Sequence, residues 1–355
     1  MPCYHPLVGI FDGKYNENGK KVFKIEGKLV PSEVKIMHPG SVTIPCGRCI
    51  GCRLDYSRSW ADRMMLEMES CDRKAIFLTL TYNNSHGVPC MVSDYEAGEN
   101  EYFPQDGLVR LNGDKAYLCE AFTLYKRDVQ LFMKRLRKHF KERKIRFYAA
   151  GEYGDHTFRP HYHIILFGIS FDDIPDLCLH GCNELGQSYY ISRTFSSIWR
   201  NGFVLLSNVS WRTCAYVARY VTKKVGSILL TQDYLNQEPV FALMSRKPGI
   251  GAFYLGEHPH CLDFTDINLS TPEGALKIKL PKYYLKQLQK EGSEKYPNPL
   301  YNPDKYDKLM EERRLYADDK MLLELQRTDL GFFEYLEVKE NEKLEKISAL
   351  RRSSV

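Results

Sequence analysis

Residues 145–168 read IRFYAAGEYGDHTFRPHYHIILFG, and this stretch decides the fold. Two runs of β-branched and aromatic residues flank a link carrying Gly154, Asp155, Arg159 and Pro160, the composition of a strand, a turn and a returning strand. Alternate residues of a strand share a face, so His161 and His163 present both imidazoles on one side of the sheet. Imidazole nitrogens are good ligands for divalent metals, and a pair on one strand is aligned for chelation. Glu152 lies near the end of the first strand, where folding the hairpin back brings its carboxylate beside both rings. Two imidazoles and one carboxylate leave open positions on a Mg²⁺ or Mn²⁺ ion, as a catalytic centre requires. Asp155 is the alternative oxygen ligand, and Glu152 is preferred because a strand fixes its direction. Two solvent-facing histidines on a half-exposed strand would give the same short pattern.

Working outward, KAIFLTLTYN (74–83) has the residues of a strand, with Thr79 and Thr81 alternating. Residues 84–121 hold Gly, Asn, Pro and Asp clusters and read as a long insertion or lid loop. The segment 123–144 places Val129, Phe132, Met133, Leu136 and Phe140 on one helical stripe, with Thr123 as candidate N-cap. After the hairpin come a polar insertion to about 190, a short helix near 193–200, a strand near 202–209 and a helix over 210–226 ended by Gly226. Before it, RLDYSRSWADRMMLEMESC (53–71) is an amphipathic helix. The order of elements predicts an α+β fold: a ferredoxin/RRM-like antiparallel sheet, the split βαβ pattern, with helices on one face. Three regions follow: an N-terminal arm, cysteine knuckle and helix (1–72), a core (73–226), and a largely helical, charged extension (227–355).

The chain has 355 residues with Lys+Arg 50 against Asp+Glu 45, a net charge of +5 that excludes a histone-like polycation but leaves a local anion-binding face open. One helix concentrates that charge. Lys126, Arg127, Lys134, Arg135, Arg137, Lys138, Lys141, Arg143 and Lys144 meet only Asp128 and Glu142, the footprint of a polyanion partner or of a solvated helix face. The 24 Tyr and 18 Phe offer stacking platforms for unpaired bases. No apolar run reaches the roughly 18–20 residues that span a bilayer, and the first residues lack a basic and then apolar leader, so a cytosolic chain is expected.

Eleven cysteines in such a chain argue against a disulfide framework. Cys46, Cys49 and Cys52 form two overlapping C-x-x-C units with Gly47 and Gly51, a knuckle able to turn thiolates toward a structural Zn²⁺, with Cys3 or His5 as fourth ligand; unliganded reduced thiols are the alternative.

Tyr216 and Tyr220 are four apart on a helix and share a face, with Lys223 and Lys224 a turn further on. A phenolate can attack phosphorus, and neighbouring ammonium groups lower the phenol's pKa in the needed sense. A half-buried Tyr stripe with Lys complementing the helix dipole is the plainer reading.

Taken together, IPCGRCIGCRLDYSRSWADR, FLTLTYN, FMKRLRK, GEYGDHTFRPHYHIILFG, AYVARYVTKK and MSRKPGIG, over roughly residues 44–250, resemble the HUH endonucleases that initiate rolling-circle replication. The resemblance is closest to the replication initiators of small single-stranded DNA phages, the gokushovirus-like Microviridae. It implies that His161 and His163 are the metal pair, with Tyr162 between them leaving the ligand geometry unaffected, and Glu152 the third ligand. Tyr216 and Tyr220 would be paired nucleophiles, and Lys223 or Lys224 the motif lysine. Lys126, Arg127, Lys134, Arg135, Arg137, Lys138 and Arg159 are the expected DNA contacts. The implied activity is site-specific nicking of origin DNA through a 5′-phosphotyrosine link, in the cytoplasm of a bacterial host, with single-stranded origin DNA and host replication machinery as partners. A transposase or relaxase of the same superfamily is the nearest alternative, and a non-catalytic zinc-containing nucleic-acid-binding protein the next.

Overall fold

The computed structural model describes residues 3–15, 21–27, 40–92, 119–154, 159–183, 186–223, 237–284, 287 and 303–348. Its strands are β1 Leu7–Tyr15, β2 Lys21–Ile25, β3 Val42–Ile44, β4 Ala75–Tyr82, β5 Val88–Val92, β6 Cys119–Thr123, β7 Arg146–Tyr153, β8 Pro160–Phe167, β9 Leu177–Cys182, β10 Ser188–Ser192, β11 Gly202–Asn208, β12 Phe241–Met244, β13 Asp266–Thr271 and β14 Gly274–Lys279. Its helices are α1 Ile50–Glu69, α2 Lys126–His139, α3 Arg193–Trp199, α4 Trp211–Lys223, α5 Ala252–Glu257, α6 Pro303–Leu325 and α7 Phe332–Ser348. The chain divides into two compact units, one of residues 1–56 with 302–354 and one of residues 57–301.

The smaller unit carries the antiparallel sheet β2-β1-β3, the first turns of α1, and α6 and α7. The larger unit is built on the sheet β12-β7-β8-β4-β11-β10-β9. Every pairing within this sheet is antiparallel. At its centre β7-β8-β4-β11 are, in chain order, the second, third, first and fourth of four strands, the split βαβ order, with α2 and α3 as crossovers. The polar insertion expected up to residue 190 is structured: β9 and β10 pair as a hairpin and extend the sheet. Within 84–121, read as a loop, β5 and β6 pair, and the residues between them lie outside the described set.

Side-chain alternation sorts the sheet into two apolar faces. Ile76, Leu78 and Leu80 of β4 and Tyr162, Ile164 and Leu166 of β8 form one core with Val129, Phe132, Met133 and Leu136 of α2 and Phe195, Ile198 and Trp199 of α3. Full burial of a side chain such as Phe132 or Leu136 contributes about 1.5–3 kcal/mol. Thr123 is not the cap of α2; the N-cap is Tyr125, and Thr123 Oγ1 instead accepts from the Glu238 amide at 2.8 Å. Ser192 does cap α3, its hydroxyl accepting from the Phe195 amide at 3.2 Å.

Helices on one face only was the expectation, and the structure corrects it. The opposite face is covered by α1 and α4: Trp60 packs on Tyr148 with ring centroids 5.4 Å apart, Trp211 Nε1 donates to Asp62 at 2.9 Å, and Cys214 is buried against Met65. The reason is compositional. Residues 164–167 of β8 are buried without interruption, so both sides of that strand need apolar cover. On this second face Arg146 is buried in an ion pair with Glu67 and donates to the Pro248 and Gly249 carbonyls, each at 3.0 Å. Glu67 in turn accepts from the Gly251 amide, which pins the loop of the MSRKPGIG segment.

Candidate active site

The hairpin register sets Glu152 directly opposite His161, and His163 two residues further along the same face. The three side chains converge: Glu152 Oε1 lies 2.8 Å from His161 Nε2 and 2.6 Å from His163 Nε2. Glu152 and His163 are buried at 4% and 1% exposure, while His161 keeps an edge open to solvent. Burial alone would raise the Glu152 carboxyl; hydrogen bonds from the two histidines outweigh it and hold the group down at about 2. Burial pushes His163 down, favouring the neutral ring that a metal ligand must be.

The other ring nitrogens also have partners. His161 Nδ1 donates to the Arg159 carbonyl at 3.1 Å, and His163 Nδ1 meets Thr79 Oγ1 at 3.2 Å. Because a carbonyl can only accept, His161 carries a proton on Nδ1, and the Nε2 atoms of both rings are turned to the one carboxylate oxygen. Glu152, His161 and His163 form a set that could hold a divalent cation. Thr79 was not singled out as a site residue. Its signal was the Thr79, Thr81 alternation in FLTLTY, and its place opposite His163 on β4 makes it the hydrogen-bond partner of that ring's second nitrogen.

Tyr216, on α4, reaches the same cluster. Its hydroxyl donates to Glu152 Oε1 at 3.2 Å and lies 3.4 Å from His163 Nε2. The Tyr216 and His163 rings meet edge to face at 5.0 Å, and the Arg219 guanidinium stands 6.0 Å from the Tyr216 ring. Tyr220 and Lys223 fall on the last turns of α4, but their side chains, like all of Lys224, Gly226 and Asp155, lie outside the described residues.

Tyr162 points to the opposite face. There its hydroxyl accepts from the Tyr125 amide at 2.7 Å and meets Tyr82 Oη at 2.8 Å, tying β8 to the start of α2.

The basic helix α2 packs on this opposite face too, across the sheet from the histidine pair. Several of its cations have internal work. Arg135 donates to the Ile198 and Trp199 carbonyls at 2.7 and 3.1 Å, closing the end of α3; Arg137 donates to the Ile145 carbonyl at 3.2 and 3.1 Å; Lys126 pairs with Glu238. Arg159 donates to Asn84 at 2.7 Å and to the Tyr82 carbonyl at 3.0 Å. Arg127 reaches Gln130 at 3.5 Å, and Lys134 and Lys138 are exposed.

In the smaller unit Cys3, Cys46, Cys49 and Cys52 bring their sulfurs within 4.8 Å of one another. The Cys46–Cys52 and Cys3–Cys49 sulfur separations are both 3.9 Å, close to the roughly 3.8 Å edge of a tetrahedron with Zn–S bonds of about 2.3 Å. Backbone amides of Cys46, Cys49 and Cys52 donate to the sulfurs of Cys3, Cys46 and Cys49. Burial alone would raise the Cys46 thiol, but the amides of Cys49 and Arg48 bring it down to about 7, whereas burial prevails at Cys3 and pushes it up to about 11. Of the two candidate fourth ligands the fold brings in Cys3; His5 instead meets Glu340 of α7 at 2.6 Å.

Comparison with known proteins gives this geometry a family. The family model of replication-associated protein ORF2/G2P matches residues 75–225, from the first residue of β4 to just past α4. Replication-associated protein ORF2 of Spiroplasma virus 4 is 30% identical over 301 residues, 83% of each chain. Replication-associated protein VP4 of Bdellovibrio phage phiMH2K is 30% identical over 285 residues, 78% of each chain. Replication-associated protein ORF4 of Chlamydia phage 1 is 28% identical over 192 residues, 52% of this chain and 39% of that one. The chain belongs to this family of replication-associated proteins. No solved structure matches it.

Proposed function

We propose that the protein is a rolling-circle replication initiator with an HUH-type nuclease core, a metal-dependent endonuclease that nicks and rejoins single-stranded origin DNA in the cytoplasm of a bacterial host. The observation that carries this reading is the Tyr216 hydroxyl, 3.2 Å from Glu152 and 3.4 Å from His163. A Mg²⁺ or Mn²⁺ ion held by Glu152, His161 and His163 would polarise the scissile phosphate. Tyr216 Oη attacks phosphorus, a new O–P bond forms, and the bond to the 3′ oxygen breaks. The phenolic proton is given up to solvent, and the departing 3′ oxygen takes one proton from solvent to become the primer hydroxyl, so protons balance. The 5′ phosphate remains on tyrosine, so the bond energy is conserved and attack by a 3′ hydroxyl reverses the step without ATP.

Tyr220 is the proposed second nucleophile, four residues along α4, and Lys223 and Lys224 the cations that favour the phenolate. Lys134, Lys138, Arg127 and Arg159 are the proposed phosphate contacts, and the Cys3, Cys46, Cys49, Cys52 set holds a structural Zn²⁺. Host replication proteins would extend the freed 3′ end. Among the described residues no helix is long and apolar enough to cross a membrane.

The test is a covalent adduct. Incubated with Mn²⁺ and single-stranded oligonucleotides tiling the phage origin, the protein is expected to form an SDS-resistant tyrosine-linked product. No adduct on any of them overturns the reading.

A further inference from the structure

One transverse row crosses the central sheet. Glu152 on β7 faces His161 on β8, His161 faces Thr81 on β4, and Thr81 faces Phe203 on β11. Directly opposed residues of an antiparallel ladder share a face, so Phe203 stands on the same face as the metal-ligand cluster. At two strand spacings its backbone lies about 10 Å from His161. Phe203 is 69% exposed, whereas Thr79, on the next row along that face, is 8% exposed. Along that row exposure rises from 4% at Glu152 to 69% at Phe203, so among the described residues the helical cover that lies over β7 and β8 does not extend to the β11 end.

The platform is firmly seated. Gly202 opens β11 so close to β4 that a Cβ there would lie 2.3 Å from the Thr81 carbonyl oxygen, and the Asn83 amide donates to the Asn201 carbonyl at 2.9 Å. Val204 and Leu206, on either side of Leu205, are buried in the opposite core and fix which way Phe203 faces. An isolated exposed apolar residue is ordinary on a protein surface. What distinguishes this one is a π-face on a firmly paired strand in line with the cluster, within the reach of about three nucleotides at the stacked rise of about 3.4 Å.

We propose that Phe203 is a stacking platform for an unpaired base of the DNA strand near the phosphate held at the Glu152, His161, His163 cluster. This rests on the nicking reading for the identity of the strand, because a nuclease that cuts single-stranded DNA must hold unpaired bases beside the scissile bond. Stacking tolerates any base, so Phe203 supplies affinity and register, not sequence choice.

The experiment uses the full chain without metal and measures affinity for oligo-dT and for the same oligonucleotide with abasic sites replacing its central bases. Phe203→Ala is expected to weaken oligo-dT binding roughly 5- to 100-fold, the loss that one stacked base corresponds to. On the abasic strand wild type and Phe203→Ala should bind alike. Phe203→Tyr should retain affinity, and Phe203→Leu, apolar but without a π-face, should behave as alanine does. An unchanged thermal midpoint for Phe203→Ala keeps the comparison clean. Equal oligo-dT affinity of wild type and Phe203→Ala overturns the inference, as does a change confined to self-association in sedimentation. Because binding is read without cleavage, failure to form the covalent adduct would sink the nicking reading separately.

Discussion

The Tyr216 hydroxyl donates to the same carboxylate oxygen, Glu152 Oε1, that both histidines reach, so a helix side chain and three strand side chains share one point of convergence. Tyr216→Phe removes the hydroxyl and little else. It is expected to leave partial cleavage carried by Tyr220, while Tyr216→Phe with Tyr220→Phe should lose on the order of 10⁶ in rate and give no adduct. Gel-resolved adduct formation, with oligonucleotide affinity retained, checks both.

Thr79 orients His163 through Nδ1 at 3.2 Å. Thr79→Val keeps the shape and removes the hydroxyl, and loss of such an outer partner costs about 10–100-fold in metal affinity. Mn²⁺ titration by calorimetry should show that fall with the fold intact; an unchanged affinity would remove Thr79 from the site.

Removing the cation from the Glu67–Arg146 pair leaves a buried carboxylate without its counter-charge. Arg146→Met is therefore expected to destabilise the larger unit by about 3–5 kcal/mol, measured by denaturant unfolding, and Glu67→Gln with Arg146→Met should be milder than Arg146→Met alone.

Arg135 and Lys134 are neighbours with different duties. Arg135→Ala removes the hydrogen bonds at the end of α3 and should lower stability, by about 1.5–3 kcal/mol for a charged donor. Lys134→Ala with Lys138→Ala should leave stability within about 0.5 kcal/mol. If α2 meets the strand as proposed, that pair should flatten the salt dependence of single-strand binding by about 1.4, two phosphate contacts at about 0.7 each.

The four-sulfur cluster should hold about one zinc per chain by elemental analysis. Cys46→Ser is expected to lose the metal and unfold the smaller unit on heating well before the larger one. Purified protein free of zinc, with unchanged stability in chelator, would leave the cluster as reduced thiols.

Much of the site was legible because its geometry is local. The period of two in HYH put both imidazoles on one face, and the return of one strand on the other put Glu152 opposite His161, since two strands adjacent in sequence pair with little choice of register. The stripe of Val129, Phe132, Met133 and Leu136 likewise marked the buried side of α2. The knuckle spacing brought Cys46, Cys49 and Cys52 together; choosing Cys3 over His5 needed the fold, because 43 residues separate Cys3 from Cys46.

The sequence by itself determined which residues could bind a metal, attack phosphorus or line a core, because residue chemistry and strand or helix period are properties of short segments. Only the tertiary structure decided where those segments meet. It brought α4 onto the histidine face and set Tyr216 against Glu152. It placed the basic helix across the sheet and turned Arg135 and Arg137 to carbonyls. It recruited β9, β10 and β12 as sheet strands, and aligned Phe203 with His161 through Thr81. These are pairings between distant parts of the chain, selected by burial of two apolar sheet faces at once, and no local periodicity encodes that choice.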